Sequence, residues 1–216
     1  MLSSTSNMKF KESEIVHKWL DSWAELGQGL EIGGSAHNPF GIKNCLNVDF
    51  TSYMDTIYKL EEIKLCDEAL PVDIVAFADS LPFASNSINY LVNSHVFEHQ
   101  YNPIKCLLEW HRILKPNAPI ASIIPHWNEL KSDEDKGVST VLDQLEDYYN
   151  EMTADSHKLG PCDDIYGHYH TYSLESFLDL IKLINILFQQ KFEILETQDP
   201  DDKVGNGFLV VIKVIK

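Results

Sequence analysis

Between Gly29 and Ala36 the chain reads Gly-Leu-Glu-Ile-Gly-Gly-Ser-Ala, and Asn47-Val48-Asp49 follows soon after. A brief apolar run ending in small residues, then a second ending in an acid, narrows the possible folds sharply. It is the pattern of neighbouring parallel strands whose carboxyl ends meet a nucleoside. Only small residues let the backbone of the first turn come close to a ligand. A carboxylate at the end of the second strand can accept both hydroxyls of a ribose. Asp49 follows Glu31 by 18 positions, close to the ~20 expected between a glycine turn and a ribose acid.

Other apolar runs supply the rest of a sheet. Leu30 to Gly33 and Cys45 to Phe50 are the first two strands, Val72 to Ala78 a third and buried one. Ile88 to Asn93 and Pro119 to Ile124 are the fourth and fifth. Phe192 to Glu196 and Phe208 to Ile215 flank a polar turn with Asp199-Pro200-Asp201-Asp202 and Gly205-Asn206-Gly207, a hairpin signal.

Helices follow from 3.6-residue periodicity. Ile15, Val16, Trp19, Leu20, Trp23 and Leu26 mark one from Ser13 to Leu26, lying over the sheet or over the pocket mouth. Asn102-Pro103 caps a second, which Pro116 ends. Val141, Leu142, Leu145, Tyr149 and Met152 mark a third, and Ser173 caps a fourth that reaches about Phe188. Lys59 to Ala69 is loop or short helix. Asn38-Pro39 has the form of an N-cap with proline at the first helical position, but the next strand begins so soon that any helix there is very short.

Strands separated by helical segments demand right-handed crossovers. The expected fold is therefore α/β: a Rossmann-like three-layer sandwich, its mostly parallel seven-stranded sheet closed by a C-terminal antiparallel β-hairpin. The length of 216 residues fits one domain, 1–216. Residues 1–12 are expected as a flexible tail. Segment 127–172 runs from a charged loop (Lys131 to Lys136) through a helix to a His- and Tyr-rich stretch, and is expected as a lid inserted over the pocket.

Charge restricts the partners. Seventeen Lys and Arg stand against 33 Asp and Glu, a net charge of −16, and so acidic a surface repels phosphate backbones. Nucleic acid is not an expected partner. Four cysteines without a Cys-x-x-Cys pair read as reduced thiols of a cytoplasmic protein. The polar N-terminus lacks a signal pattern, and the apolar run near Phe208 to Ile215 is too short for a bilayer. No membrane contact is expected, and the oligomeric state is read as monomer or homodimer.

Five elements in order carry a family resemblance: Glu31-Ile32-Gly33, Asp49, Asp79-Ser80-Leu81-Pro82-Phe83, Ser94-His95-Val96-Phe97-Glu98-His99, and Arg112-Ile113-Leu114-Lys115-Pro116-Asn117. Together they resemble the class I S-adenosylmethionine-dependent methyltransferases, in the small-molecule type 11 branch. The resemblance implies S-adenosyl-L-methionine as cofactor. It implies that the Gly33-Gly34-Ser35 turn and Glu31 hold the methionine portion, and that Asp49 accepts the ribose hydroxyls. Asp79 and Ser80 would meet the adenine, Leu81 would offer its backbone and an apolar wall, and Ser94 and His95 would face the methionine. His37 stands where the family pattern has glycine. Either the turn takes another path there, with Asn38-Pro39 starting a substitute helical turn, or cofactor affinity has been lost.

Histidines supply candidate bases, because the imidazole titrates near neutrality. His126 directly follows the fifth strand, at the functional edge of a parallel sheet. His168 and His170 in a strand-like stretch would point the same way, to place a base or bind a metal. His95 to His99 also spell His-x-x-Glu-His, but without the long helix that turns both histidines toward one zinc; no metal site is assigned. The expected activity is methyl transfer to a small-molecule or sugar-like acceptor, at oxygen. The alternatives are a non-catalytic binding protein of the same fold, and a metal-dependent hydrolase using the His clusters.

Overall fold

The computed structural model describes residues 12–34, 40–66, 69–129, 133, 136–153 and 168–216. Ser35, His37 and the Asn38-Pro39 turn fall outside these residues, as do most of the expected tail and part of the expected lid.

Seven strands form one sheet in the order β3-β2-β1-β4-β5-β7-β6. They are β1 (Gly29–Ile32), β2 (Cys45–Asp49), β3 (Ile74–Val75), β4 (Leu91–Ser94), β5 (Pro119–Pro125), β6 (Phe192–Gln198) and β7 (Gly207–Val214). The first five run parallel, and β7 lies antiparallel between β5 and β6. The expected three-layer sandwich with its terminal hairpin is the observed architecture.

The alternation of side chains along each strand assigns the two faces. Tyr90, Val92, Ala121, Ile123, Leu209 and Val211 pack against Val16, Leu20 and Ala24 of helix α1 (Glu14–Ala24). On the opposite face Leu30, Ile32, Val48, Leu91, Ile120 and Val210 meet Trp110 of α3 (Pro103–Ile113) and Phe177 and Leu180 of α5 (Leu174–Leu187). Helix α4 (Val141–Tyr149) rests against α3 and α5, and α2 (Ile57–Cys66) joins β2 to β3. Asn102 and Ser173 cap their helices as the sequence announces, and Ser13, read as the first residue of its helix, is its N-cap; each accepts an amide of the first turn. Helix α1 therefore covers the sheet rather than the pocket mouth.

Several elements differ from expectation, among them the fourth strand, which begins at Leu91 rather than Ile88, where only an isolated bridge to Leu114 forms. The third strand is cut to Ile74–Val75 and is not buried, since Val75 is half exposed at the sheet edge. Asp73 just before it is spent on the neighbouring strand, accepting the Asn47 amide at 2.8 Å. The first helix stops at Ala24, leaving Leu26 exposed before Gly27. Among the described residues no helix is long and apolar enough to cross a membrane, and Cys45 and Cys106 are free thiols.

Candidate active site

From β1 the sheet grows outward through β2 to β3, whereas β4 is laid down on the other side of β1. The chain therefore leaves the carboxyl ends of β1 and β4 in opposite directions and opens a crevice between them, where α/β sheets bind ligands. Gly33 ends β1 in the left-handed region, at φ +71°, and a Cβ on it would lie 2.3 Å from Val96 Cγ2. Glycine is needed here on both counts. The turn is pulled against the residues following β4, and the Gly33 amide donates to Val48 O at 2.8 Å.

Two acids flank this turn on one face. Glu31 pairs in register with Asn47, so Glu31, Asn47 and Asp49 project from the same side of the sheet. Glu31 is buried, and burial pushes its carboxyl up to about 8 while the Lys203 ammonium works against that rise. A cavity of about 140 Å³ beside Gly34 is lined by Glu31, Asn47 and Asp73. Asp49 Oδ1 accepts the Phe50 amide at 2.7 Å, and Oδ2 lies 3.8 Å from the buried Lys59 ammonium. Burial raises the Asp49 carboxyl as well, with the Phe50 amide and Lys59 opposing it.

The Asp79-Ser80-Leu81 segment is held from below by α3. Asp79 Oδ2 pairs with Lys105 Nζ at 2.8 Å, and the Ser80 amide donates to Phe77 O at 3.0 Å. Leu81 corrects an expectation. Its amide donates to Glu109 Oε1 at 2.7 Å, and its carbonyl accepts from Arg112 at 3.1 Å and from the Phe83 amide at 2.8 Å. Its side chain belongs to the core. Leu81 therefore has neither a spare amide nor an exposed apolar wall for a ligand. Arg112, drawn to Glu109 by two 2.7 Å contacts, makes this residue part of the frame.

Ser94 and His95 sit at the rim of β4. Ser94 Oγ lies 3.0 Å from His95 Nδ1, and His95 Nε2 lies 3.0 Å from Asn206 Oδ1. Burial lowers the His95 imidazole below its ordinary range, so the ring is neutral at pH 7. Its partner comes from the loop joining β6 to β7, which reads locally as a mere hairpin turn. Because β7 is antiparallel, its first residue, Gly207, lies beside Pro125 at the carboxyl end of β5. The loop thus returns to the same rim. Buried Asp201 organises it by accepting the amides of Lys203, Val204, Gly205 and Gly207 at 2.7 to 3.2 Å.

The three candidate bases diverge. His126 follows β5 as expected, bridges to Tyr172, and holds Asp199 Oδ1 at 2.9 Å from Nε2. It opens onto a cleft of about 400 Å³ shared with Ser173 and Asp199. His168 and His170 do not act as a same-facing pair, because residues 169–170 form a bend rather than a strand. The amides of Tyr169 and His170 both donate to Glu98 O, at 3.0 and 3.1 Å. The two rings then part. His170 Nε2 pairs with Asp147 Oδ2 of α4 at 3.1 Å, while His168 Nδ1 pairs with Asp133 Oδ2 at 2.5 Å.

Glu98 lies beneath this bend, in the 3-10 turn Phe97–His99. Its carboxyl is buried and pushed up to about 8 by that burial. His99 Nε2 and His168 Nε2 each lie 3.9 Å from Glu98 Oε1. The His-x-x-Glu-His string thus contributes Glu98 and His99 to one cluster and sends His95 to another. Asp133 carries no local signal of its part.

Residues 25–121 match the protein family described as "Methyltransferase domain". An uncharacterized protein of Methanocaldococcus jannaschii is 32% identical over 118 residues, 51% of this chain and 53% of that protein. The chain spans about half the length of the curated relative it matches. Among solved structures, a SAM-dependent methyltransferase of Methanosarcina mazei superposes with a TM-score of 0.54 at 16% identity, covering 94% of this chain and 97% of that one. At that identity the likeness shows the fold.

Proposed function

We propose that this chain, which carries the fold and the family signature of the class I S-adenosylmethionine-dependent methyltransferases, transfers a methyl group to an oxygen of a small-molecule or sugar-like acceptor. One observation carries the reading: Glu31 and Asp49 flank the left-handed Gly33 turn on one face of the sheet, at the switch point between β1 and β4.

The residues present fit S-adenosylmethionine. Gly33 keeps the turn left-handed and packed on Val96, which leaves its backbone free of a side chain, and the buried Glu31 carboxyl is a partner for an ammonium group. Glu31 and the backbone at Gly33 and Gly34 would hold the methionine end, with Ser94 and His95 across the crevice. Asp49 would accept the ribose hydroxyls, and Asp79 with Ser80 would meet the adenine. The bound cofactor supplies an electrophilic methyl on sulfur. Neutral His95, fixed by Ser94 and Asn206, presents an uncharged wall beside that cationic centre.

Displacement at methyl needs the acceptor in line, so alignment supplies much of the rate. A hydroxyl acceptor must also lose a proton. Of the three candidate histidines, His126 is the base in this reading: Asp199 orients its ring through Nε2 and leaves Nδ1 to take the proton. His170 is committed to Asp147 and clamps α4 to the bend. Segment 127–172 leaves the end of β5 at His126 and returns to it at Tyr172, as a lid over the acceptor would.

Calorimetric titration with S-adenosylhomocysteine tests the cofactor assignment. Binding should be saturable, Asp49→Ala should weaken it at least tenfold, and His126→Ala should leave it unchanged. No heat at millimolar ligand with folded protein overturns the proposal.

A further inference from the structure

We propose that Glu98, His99 and His168 bind one divalent transition-metal ion, with Asp133 holding the His168 ring in position. The facing atoms of these three ligands lie within 4.8 Å of one another. Both imidazole Nε2 atoms stand 3.9 Å from the same carboxylate oxygen, Glu98 Oε1. A tetrahedral site with bonds of ~2.0–2.1 Å has edges of roughly 3.4 Å, so the two 3.9 Å edges to Glu98 close by about half an ångström, and the widest separation, within 4.8 Å, by at most about 1.4 Å. Two imidazoles and a carboxylate suit zinc, iron or manganese better than the all-oxygen cations.

Three features separate this cluster from a chance gathering of polar groups. Glu98 is 1% exposed, and neither of its carboxylate oxygens has a hydrogen-bond partner among the described residues. A buried acid with no donor is costly and uncommon, and a cation between Glu98 and the two rings would satisfy it. The second feature is the support behind His168. Asp133 Oδ2 lies 2.5 Å from Nδ1, off the angle of a hydrogen bond; its charge favours the proton on Nδ1 and leaves the Nε2 lone pair for a metal. Lys136 Nζ binds both Asp133 Oδ1, at 3.1 Å, and His168 O, at 3.0 Å, so the supporting acid and the ligand move together.

The third feature is the anchoring of the ligands. Glu98 and His99 are neighbours on the 3-10 turn, and the Glu98 carbonyl fastens the bend that carries His168. Two carboxylates also face the site, Glu98 as a ligand and Asp133 behind His168, the second shared with the Lys136 ammonium. Three protein ligands leave coordination positions for water or an oxygen-bearing substrate. The turn lies two residues beyond His95, so the ion would sit on the rim that holds the proposed transferase crevice. The metal site does not depend on that transferase reading.

The test uses the whole chain, stripped with EDTA, dialysed and titrated with Co²⁺ while the visible d–d bands are recorded without any adenosyl compound. One ion per chain should bind saturably. His99→Ala, whose ring is partly exposed and whose loss spares the buried frame, should weaken binding at least tenfold, as should isosteric Glu98→Gln. Asp133→Asn should weaken it about 10- to 100-fold. Circular dichroism checks that each variant is folded. Absence of saturable Co²⁺ binding by folded wild-type protein overturns the site, and so does unchanged affinity in His99→Ala. S-adenosylhomocysteine binding, measured separately, would survive that failure if the transferase reading holds.

Discussion

His95 Nε2 lies 3.0 Å from Asn206 Oδ1 although 111 positions separate the two residues. With the amide oxygen as acceptor, Nε2 carries the proton and Nδ1 accepts from Ser94 Oγ. The side chain at the end of β4 is therefore fixed by a loop that belongs to the other end of the chain. That loop depends on Asp201, whose carboxylate gathers four backbone amides.

Asp201→Ala should accordingly damage both stability and binding. Buried amides left without an acceptor cost ~1–3 kcal/mol each, with incomplete additivity, so a net loss of about 3 kcal/mol is expected in urea unfolding. S-adenosylhomocysteine affinity should fall several-fold with it, as Asn206 loses its place beside His95. A loss below about 0.5 kcal/mol would show that the loop has another anchor.

Glu31 predicts a pH dependence of stability. Its carboxyl lies at about 8 in the folded chain against an ordinary 4.5, so the folded state holds the proton more tightly. The stability this confers is complete below about pH 4.5 and is lost as pH rises toward 8. The slope approaches about 1.4 kcal/mol per pH unit at most. Urea unfolding at pH 5.5, 6.5 and 7.5 should show a shallower decline for Glu31→Gln than for the wild type. Parallel lines would mean that Glu31 does not titrate in this way.

The same proton should appear in cofactor binding. An ammonium group needs the ionised carboxylate, so binding expels the Glu31 proton at pH 7. Affinity for S-adenosylhomocysteine should rise as pH climbs from 6.5 to 8, by up to about tenfold per unit. Calorimetry in buffers of different ionisation enthalpy would count the proton released. Glu31→Gln should release none.

Gly33 and Val96 form a coupled pair. Gly33→Ala meets a left-handed backbone worth roughly 1–2 kcal/mol and an overlap with Val96 Cγ2 worth a further ~1–3 kcal/mol. Adding Val96→Ala removes the overlap but not the backbone strain. The double variant should therefore be more stable than the sum of the single effects allows. Strict additivity would place the two residues apart.

Arg112 is predicted to matter through shape as well as charge. It spans Glu109, Leu81 O and Phe83 O, a set that a planar fork can satisfy and an ammonium cannot. Arg112→Lys should cost about 1–3 kcal/mol. It should also speed hydrogen exchange at the Leu81 amide while β5 stays protected. Equal protection at Leu81 in both proteins would remove the bracing role.

Much of the scaffold was legible because its causes are local. Apolar alternation and helical periodicity announced the strands and helices, and Ser13, Asn102 and Ser173 marked the helix starts. The Glu31-Ile32-Gly33 turn and Asp49 announced the crevice, since strand ends and small residues are written consecutively. The edge strand was overestimated, because apolar residues from Val72 onward do not reveal that only Ile74 and Val75 find partners at the sheet edge.

What the chain alone determined was an α/β sheet with a glycine turn between two acids. Tertiary structure decided which side chains share a place. Asn206 on His95, Glu109 on the Leu81 amide, and His168 facing Glu98 and His99 are pairings across dozens of residues. No periodicity encodes them, because each depends on where an antiparallel strand or a returning bend meets the sheet. Periodic patterns report burial, which is summed over neighbours along the chain. A binding cluster rests on a few directional contacts, and folding alone brings their partners within reach.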